Sequence, residues 1–411
     1  MPDDKFRKPY FANKVRVRFS LELGAFEKKI LSLVTGQSSF ASCEINEKQI
    51  ENDFYKLSIN DNASLDIFDK NSVLSFKNVL AIEDTGDIGN EYIYRQSTDG
   101  TRILGGKLIG QKIIRENDKT IIRIRESFKL PKSAEDKLLA EQIRPNDITQ
   151  RRANRSSDLI EMAIDKEIIL YDKNIPLKIK ISLKNLAKDH RMRLLFGHNL
   201  ETDKVYAESI FECVERDAYP PQTWKNPDFS QNFNRYVQVM DNDKKGFGVS
   251  AIGPAEYEMI KGEGLYMTLF RSVGELGDWG YFPTPDAQLI KDDLSEMTFE
   301  FYFASFANDF DKNRQDILQA RVDFISLGLD KNDIEEKDLN LPKIDLGDNI
   351  FSTLFRNDKN EPILRVYNPG KSAKKIDLKA VEYDILGERK IKDEIDKNLP
   401  GFEIKTYRLE L

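Results

Sequence analysis

The chain has 411 residues, 40% hydrophobic and 32% charged, with 63 basic and 70 acidic side chains and a formal net charge of −7. That length suits two or three domains of roughly 150 residues and buries a large core without staples. Interspersed charge, apolar runs far short of the roughly 18 residues of a membrane span, a charged N-terminus and only two cysteines argue against nucleic-acid, membrane, secreted and disulfide-rich classes, so a cytoplasmic protein is expected.

In chain order, a spacing of two dominates. Residues 15–19 alternate valine, arginine and phenylalanine in a short N-terminal β segment (1–45), with a boundary near 42–52. Strands are expected at 53–59, 122–128, 165–171, 191–196, 236–239, 265–270 and 299–303. The clearest is 176–184, where Leu177, Ile179, Ile181 and Leu183 share one face and lysines and a serine the other. Between them, residues 83–94 read as a glycine-punctuated loop carrying carboxylates with Tyr92 and Tyr94. Its composition fits first a strand connection whose acids cap backbone donors, and second a sugar-binding or acid/base loop. Ser133 to Asp136 is expected to cap a helix ending at Gln142 or Ile143, and the arginine-rich stretch 144–158 reads as a solvated surface loop.

Only His190 and His198 are present, so a zinc site or a histidine-based triad has little to draw on. Asp189-His190-Arg191 reads as a polar cluster at a strand start, Asp189 orienting His190 or pairing with an arginine. Arg271 ends a strand before a loop holding Trp279, Tyr281 and Phe282, aromatics that stack on sugars, seal interfaces or fill cores; Trp224 reads the same way. The polar run 308–316 marks a second boundary, a single helical turn is expected at 332–338, and strands at 363–367, 376–385 and 402–411 close the chain. These elements predict an all-β protein, one large antiparallel sandwich over 46–310 with smaller β units at 1–45 and 311–411.

Segments 50–55 (Ile-Glu-Asn-Asp-Phe-Tyr), 64–67, 83–92, 188–193 (Lys-Asp-His-Arg-Met-Arg), 269–274 (Leu-Phe-Arg-Ser-Val-Gly), 284–288 and 402–409 follow one another as they do in another set of proteins. In that order the chain resembles the C-terminal portion of a glycoside hydrolase family 38 α-mannosidase, of the bacterial cytoplasmic branch that includes mannosylglycerate hydrolases. The resemblance implies a galactose-mutarotase-like supersandwich and a retaining, zinc-dependent α-mannosidase as the complete enzyme. It also implies that this chain has no cofactor of its own, because the family's His-x-His-x-Asp-type motif has no counterpart here. Its expected partners are the catalytic N-terminal half and an α-mannoside, with self-association through the uncovered surface and no nucleic acid or membrane. Carried over by position, Tyr92 matches a substrate-facing tyrosine, with Tyr94 as its substitute; Asp87 supports that loop, and Arg271 is a second rim residue or an ion-paired arginine inside the sandwich. Two rival readings are a stand-alone carbohydrate-binding module stacking sugars on Trp279, Tyr281 and Tyr92, and a mutarotase-like sugar epimerase.

Overall fold

A computed structural model describes residues 41–144, 148–210, 212–225, 228–277, 280–290, 296–322, 350–393 and 397–410, with residues 21, 29, 31, 344 and 346 singly. The expected strand at 15–19, the turn at 332–338 and Trp279 lie outside them. Two compact units divide the chain, Met1–Ala41 with Gly328–Ile344 and Ser42–Leu327 with Asp345–Leu411; the architecture below is that of the second.

Its frame is a ten-stranded antiparallel sheet. In order its strands are Ser42–Ile45, Lys107–Glu116, Lys119–Pro131, Leu159–Tyr171, Leu177–Leu183, Met297–Ala307, Lys245–Ile252, Tyr236–Met240, Lys204–Ser209 and Glu212–Asp217. The alternation read from the sequence is what builds it. Leu177, Ile179 and Ile181 are buried while Lys178 and Lys180 turn outward, and Lys119–Pro131 pairs with Leu159–Tyr171 along all thirteen residues. A six-stranded sheet (Gln231–Asn232, Glu256–Ile260, Gly264–Ser272, His190–Gly197, Ile82–Gly86, Arg102–Leu104) and a four-stranded one (Gln49–Glu51, Tyr55–Ile59, Leu65–Asp69, Leu74–Val79) face it. One continuous apolar cluster joins the three sheets, with Phe76 set edge-on against Phe303 at 5.2 Å and Phe196 against Phe301 at 5.8 Å. This is the expected supersandwich. A separate five-stranded sheet follows near the C-terminus: Phe351–Arg356, Pro362–Tyr367, Ile404–Leu409, Ala380–Tyr383 and Lys390–Lys392.

Two helices depart from the expectations. The first spans Lys137–Ile143 and starts later than the Ser133 signal suggests, because the Ser133 hydroxyl donates to the Ala134 carbonyl and caps nothing. The second, Phe310–Ala320, occupies the polar run at 308–316. Asp309 caps it by accepting from the Lys312 N–H, and it docks on the ten-stranded sheet through Asn313, Ile317 and Leu318. Half of its buried face is polar: the Asn313 amide donates to Ala304 O (2.9 Å) and accepts from Gln238 (2.9 Å), so apolar periodicity never marked it.

A pair of opposite charges sits within the core itself, Lys166 with Glu126. Lys166 takes an inward position between Ile164 and Ile168, fully buried, and its ammonium donates to the Ala63 carbonyl (2.8 Å), the Leu80 carbonyl (2.7 Å) and Glu126 Oε2 (2.7 Å). Ala63 and Leu80 border the last two strands of the four-stranded sheet, so this lysine fastens that sheet to the ten-stranded one. Lys166→Met leaves Glu126 buried without a countercharge and is expected to cost about 3–5 kcal/mol. Urea unfolding should show it, with part recovered in Lys166→Met/Glu126→Gln; a loss within error of zero would mean that this pair does not hold the two sheets together.

His198 supplies a pH dependence. Its ring is buried 5.2 Å from Phe247, Nδ1 accepts from the Leu200 N–H, and burial pushes the imidazole down from 6.5 to about 4. The unfolded chain therefore binds a proton near pH 6.5 that the native state refuses until about pH 4. This share of the stability is complete above pH 6.5 and is lost as the pH falls towards 4, by about 3 kcal/mol. Urea midpoints between pH 7 and 4.5 should fall less steeply in His198→Gln than in the parent chain.

Candidate functional site

The site grows from the strand Ile82–Gly86, which is buried throughout. The carboxylates at 83 and 84 belong to this strand rather than to the expected loop, and being adjacent they point to opposite faces of the sheet. Outward, Glu83 pairs with Arg193 and Arg102, and Arg193 also reaches Glu258 and lies 4.5 Å above the Tyr266 ring. Burial pushes the Glu83 carboxyl up, but the two guanidinium groups outweigh it and hold the group below the usual range. Inward, Asp84 pairs with Arg155 and accepts from His190 Nδ1 at 2.5 Å, while His190 Nε2 meets Asn185 Oδ1 at 3.0 Å. His190 is thus oriented by Asp84 and Asn185, not by Asp189 as expected.

Asp189 does other work. It holds a left-handed backbone (φ 53°), accepts from Gln288 Nε2 (2.6 Å) and the Ala134 N–H (3.1 Å), and its carbonyl receives the Asp87 N–H (2.8 Å). Burial pushes its carboxyl up. Gln288, the end of the 284–288 segment, is thereby tied to the 188–193 segment.

Beyond Gly86 the chain folds back on itself. Asp87 Oδ1 accepts from the Gly89 and Arg95 N–H groups (2.9 and 3.2 Å), and Asn90 Oδ1 accepts from those of Tyr92 and Ile93 (3.0 and 2.8 Å). A Cβ on Gly89 would collide with the Ile93 carbonyl oxygen, so only glycine closes this turn. Arg271 donates through Nε to Asp87 Oδ2 (2.8 Å) and through its terminal nitrogens to Asn90 O (2.7 Å) and Glu91 O (3.4 Å). Of the residues predicted from sequence, Asp87 and Arg271 are therefore brought together, mostly buried, as the support of this turn. Tyr92 stands at its tip, 71% exposed. Tyr94 is buried: its hydroxyl donates to Thr85 Oγ1 (3.1 Å), the Arg191 guanidinium lies 3.4 Å from its ring centre, and burial pushes its phenol up. It offers no surface to a ligand.

Residues 148–158 of the arginine-rich stretch are not the solvated loop expected. Arg151, Ala153 and Arg155 are buried while Arg152 is exposed, an alternation of burial that no apolar pattern in the sequence marks. Arg151 donates to the carbonyls of Ile88 (3.0 Å) and Gly89 (2.8 Å) and pairs with Glu275 at 2.6 Å. The Glu91 N–H donates to the Glu275 carbonyl (2.9 Å), which links the turn to the aromatic loop; there Leu276, Tyr281 and Phe282 are exposed, as Ile93 is on the turn. Trp224 is also partly exposed, its indole N–H donating to the Asp228 carbonyl at 2.7 Å.

Among the described residues no three His, Cys, Asp or Glu side chains gather where a metal ion could be held. His190 has both ring nitrogens engaged and His198 belongs to no such group, so these residues do not fit a zinc ion. No helix among them is long and apolar enough to cross a membrane.

The sequence profile "Glycosyl hydrolases family 38 C-terminal domain" matches residues 50–287. A "Putative mannosylglycerate hydrolase" of Halalkalibacterium halodurans is 36% identical over 298 residues, which are 70% of this chain and 33% of that protein. Two solved structures from Enterococcus faecalis are similar at 28% identity. An alpha-mannosidase of strain V583 has a TM-score of 0.76 over 88% of this chain and 42% of its own. A protein in the glycosyl hydrolase family 38 has a TM-score of 0.75 over 90% and 45%. The chain thus spans a third of the curated relative and less than half of either solved protein.

Proposed function

This chain belongs to glycosyl hydrolase family 38, whose C-terminal portion it carries, and from that premise we propose that it is the β-sandwich part of a retaining, zinc-dependent α-mannosidase acting on α-mannosides in the cytoplasm. Alone it turns over no substrate. It stabilises the catalytic part, which occupies the remaining length of its relatives, and completes the sugar site from one side. The zinc ion belongs to that other part, and no step of the reaction is assigned to metal here.

The observation that carries this reading is the turn at 87–95. Its base is fastened by buried ion pairs and its tip is an exposed tyrosine, the arrangement of a preorganised contact offered to something outside the chain. The Tyr92 hydroxyl both donates and accepts, as a sugar hydroxyl requires, and its ring presents a flat face to the sugar's C–H groups. Around it, exposed Ile93, Leu276 and Phe282 form an apolar lip suited to packing on the catalytic part.

Mixing the purified chain with a family 38 catalytic part is expected to restore hydrolysis of an aryl α-mannoside that neither part performs. Tyr92→Phe should then lower kcat/KM about tenfold, the value of one hydrogen bond to substrate. A mixture as inactive as its parts would defeat the reading, and Trp279 or Tyr281 variants that abolish mannose binding by the isolated chain would favour a binding module instead.

A further inference from the structure

The main chain of the Tyr92 turn presents four consecutive carbonyls, at residues 88, 89, 90 and 91, and each accepts from an arginine. Arg271 takes the second two and Arg151 the first two. The arginines come from distant parts of the sequence, and each is neutralised by a buried carboxylate of a different segment, Asp87 for Arg271 and Glu275 for Arg151. Carbonyls folded inward must find donors, and a planar guanidinium reaches two neighbouring ones and a carboxylate at once from one rigid fork, where an ammonium acts as a point charge. Arg271 belongs to the segment that marks the family resemblance. Arg151 lies in a stretch that reads as surface loop, yet it is 2% exposed and ties that stretch to both the tyrosine turn and the aromatic loop.

We propose that Arg151, held by Glu275, is a positioning residue for Tyr92: it fixes the Ile88–Gly89 half of the turn so that the phenol meets the sugar without first being ordered. This rests on the reading that Tyr92 faces substrate. Residues 148–158 are then part of the sugar site's architecture through the grip of Arg151 on the turn. Arg151→Lys keeps the charge and loses the fork, so it restores only part of the function that Arg151→Met removes.

Two measurements test this. Hydrogen–deuterium exchange of the full chain should show amides at 89–93 exchanging about tenfold faster in Arg151→Met, with peptides from 159–171 unchanged. In the reconstituted mixture, Arg151→Met should lower kcat/KM about tenfold, and the double variant with Tyr92→Phe should be no worse than Tyr92→Phe alone, since one acts through the other. Losses that multiply, or exchange at 89–93 that does not change, would overturn the proposal. If Tyr92→Phe alone has no effect, the sugar-facing reading fails and the positioning role with it, while the exchange result still decides whether Arg151 holds the turn. Should Arg151→Met not fold, Glu275→Gln and Arg151→Lys carry the same comparison.

Discussion

A strand that buries two adjacent carboxylates must bring cations to both of its faces, and much of this molecule follows from that requirement at Ile82–Gly86. An unpaired buried carboxylate costs several kcal/mol, roughly as much as a whole domain can spare. Glu83 therefore draws Arg193 and Arg102 to the outer face, and Asp84 draws Arg155 and His190 to the inner one. The pairing also sets register. Arg193 stands opposite Glu83 and Met192 opposite Asp84, so a slip of one residue would set a thioether against Glu83 and send an arginine into the core. Well-packed apolar residues in place of such pairs stabilise a sheet no less well, but they would remove what makes one register the only acceptable one.

The same chemistry continues past the strand end, now turned to shaping a loop. Asp87 and Glu275 are the next buried acids, Arg271 and Arg151 the next buried bases, and what lies between them is main chain. The turn at 87–95 thus has a polar interior and an exposed, largely apolar rim. Elsewhere in the sandwich the order is reversed, with apolar side chains inside and charged ladders such as Arg123–Glu167 outside. That inversion sets this end of the six-stranded sheet apart from the rest of the surface.

How much of this is legible in the sequence depends on whether a residue's role is set by its neighbours in the chain. Alternating strands such as 176–184 and 299–303 are local facts, and an all-β sandwich could be read from them, the supersandwich following only from the family resemblance. The helix Phe310–Ala320 could not, because Asn313 and Arg314 occupy positions where apolar residues were sought. Asp87 and Arg271 were named from family resemblance, but the bond between them joins residues 184 apart, and only the fold reveals it. Arg151 was missed for the opposite reason: in an arginine-rich stretch charge suggests solvent, and nothing in the local pattern tells the buried Arg151 and Arg155 from the exposed Arg152. Tyr92 and Tyr94 are alike in sequence context. What separates them is Arg191, whose guanidinium covers the second ring and leaves the first in the open.

A fastened base and an open rim also bear on how such a sandwich joins a larger enzyme. Docking a loop that must first be ordered costs roughly 0.5–1.5 kcal/mol for each side chain immobilised, before any contact contributes. In the turn at 87–95 that cost has been met in folding: the backbone donors at 89, 92, 93 and 95 and the acceptors at 88 to 91 are satisfied within the chain. The main chain under Tyr92 and Ile93 therefore needs no further ordering. Buried arginines that do little for net stability are the means by which a small exposed rim becomes an effective surface, and this accounts for charge being concentrated under the most exposed tyrosine of the sandwich's open end.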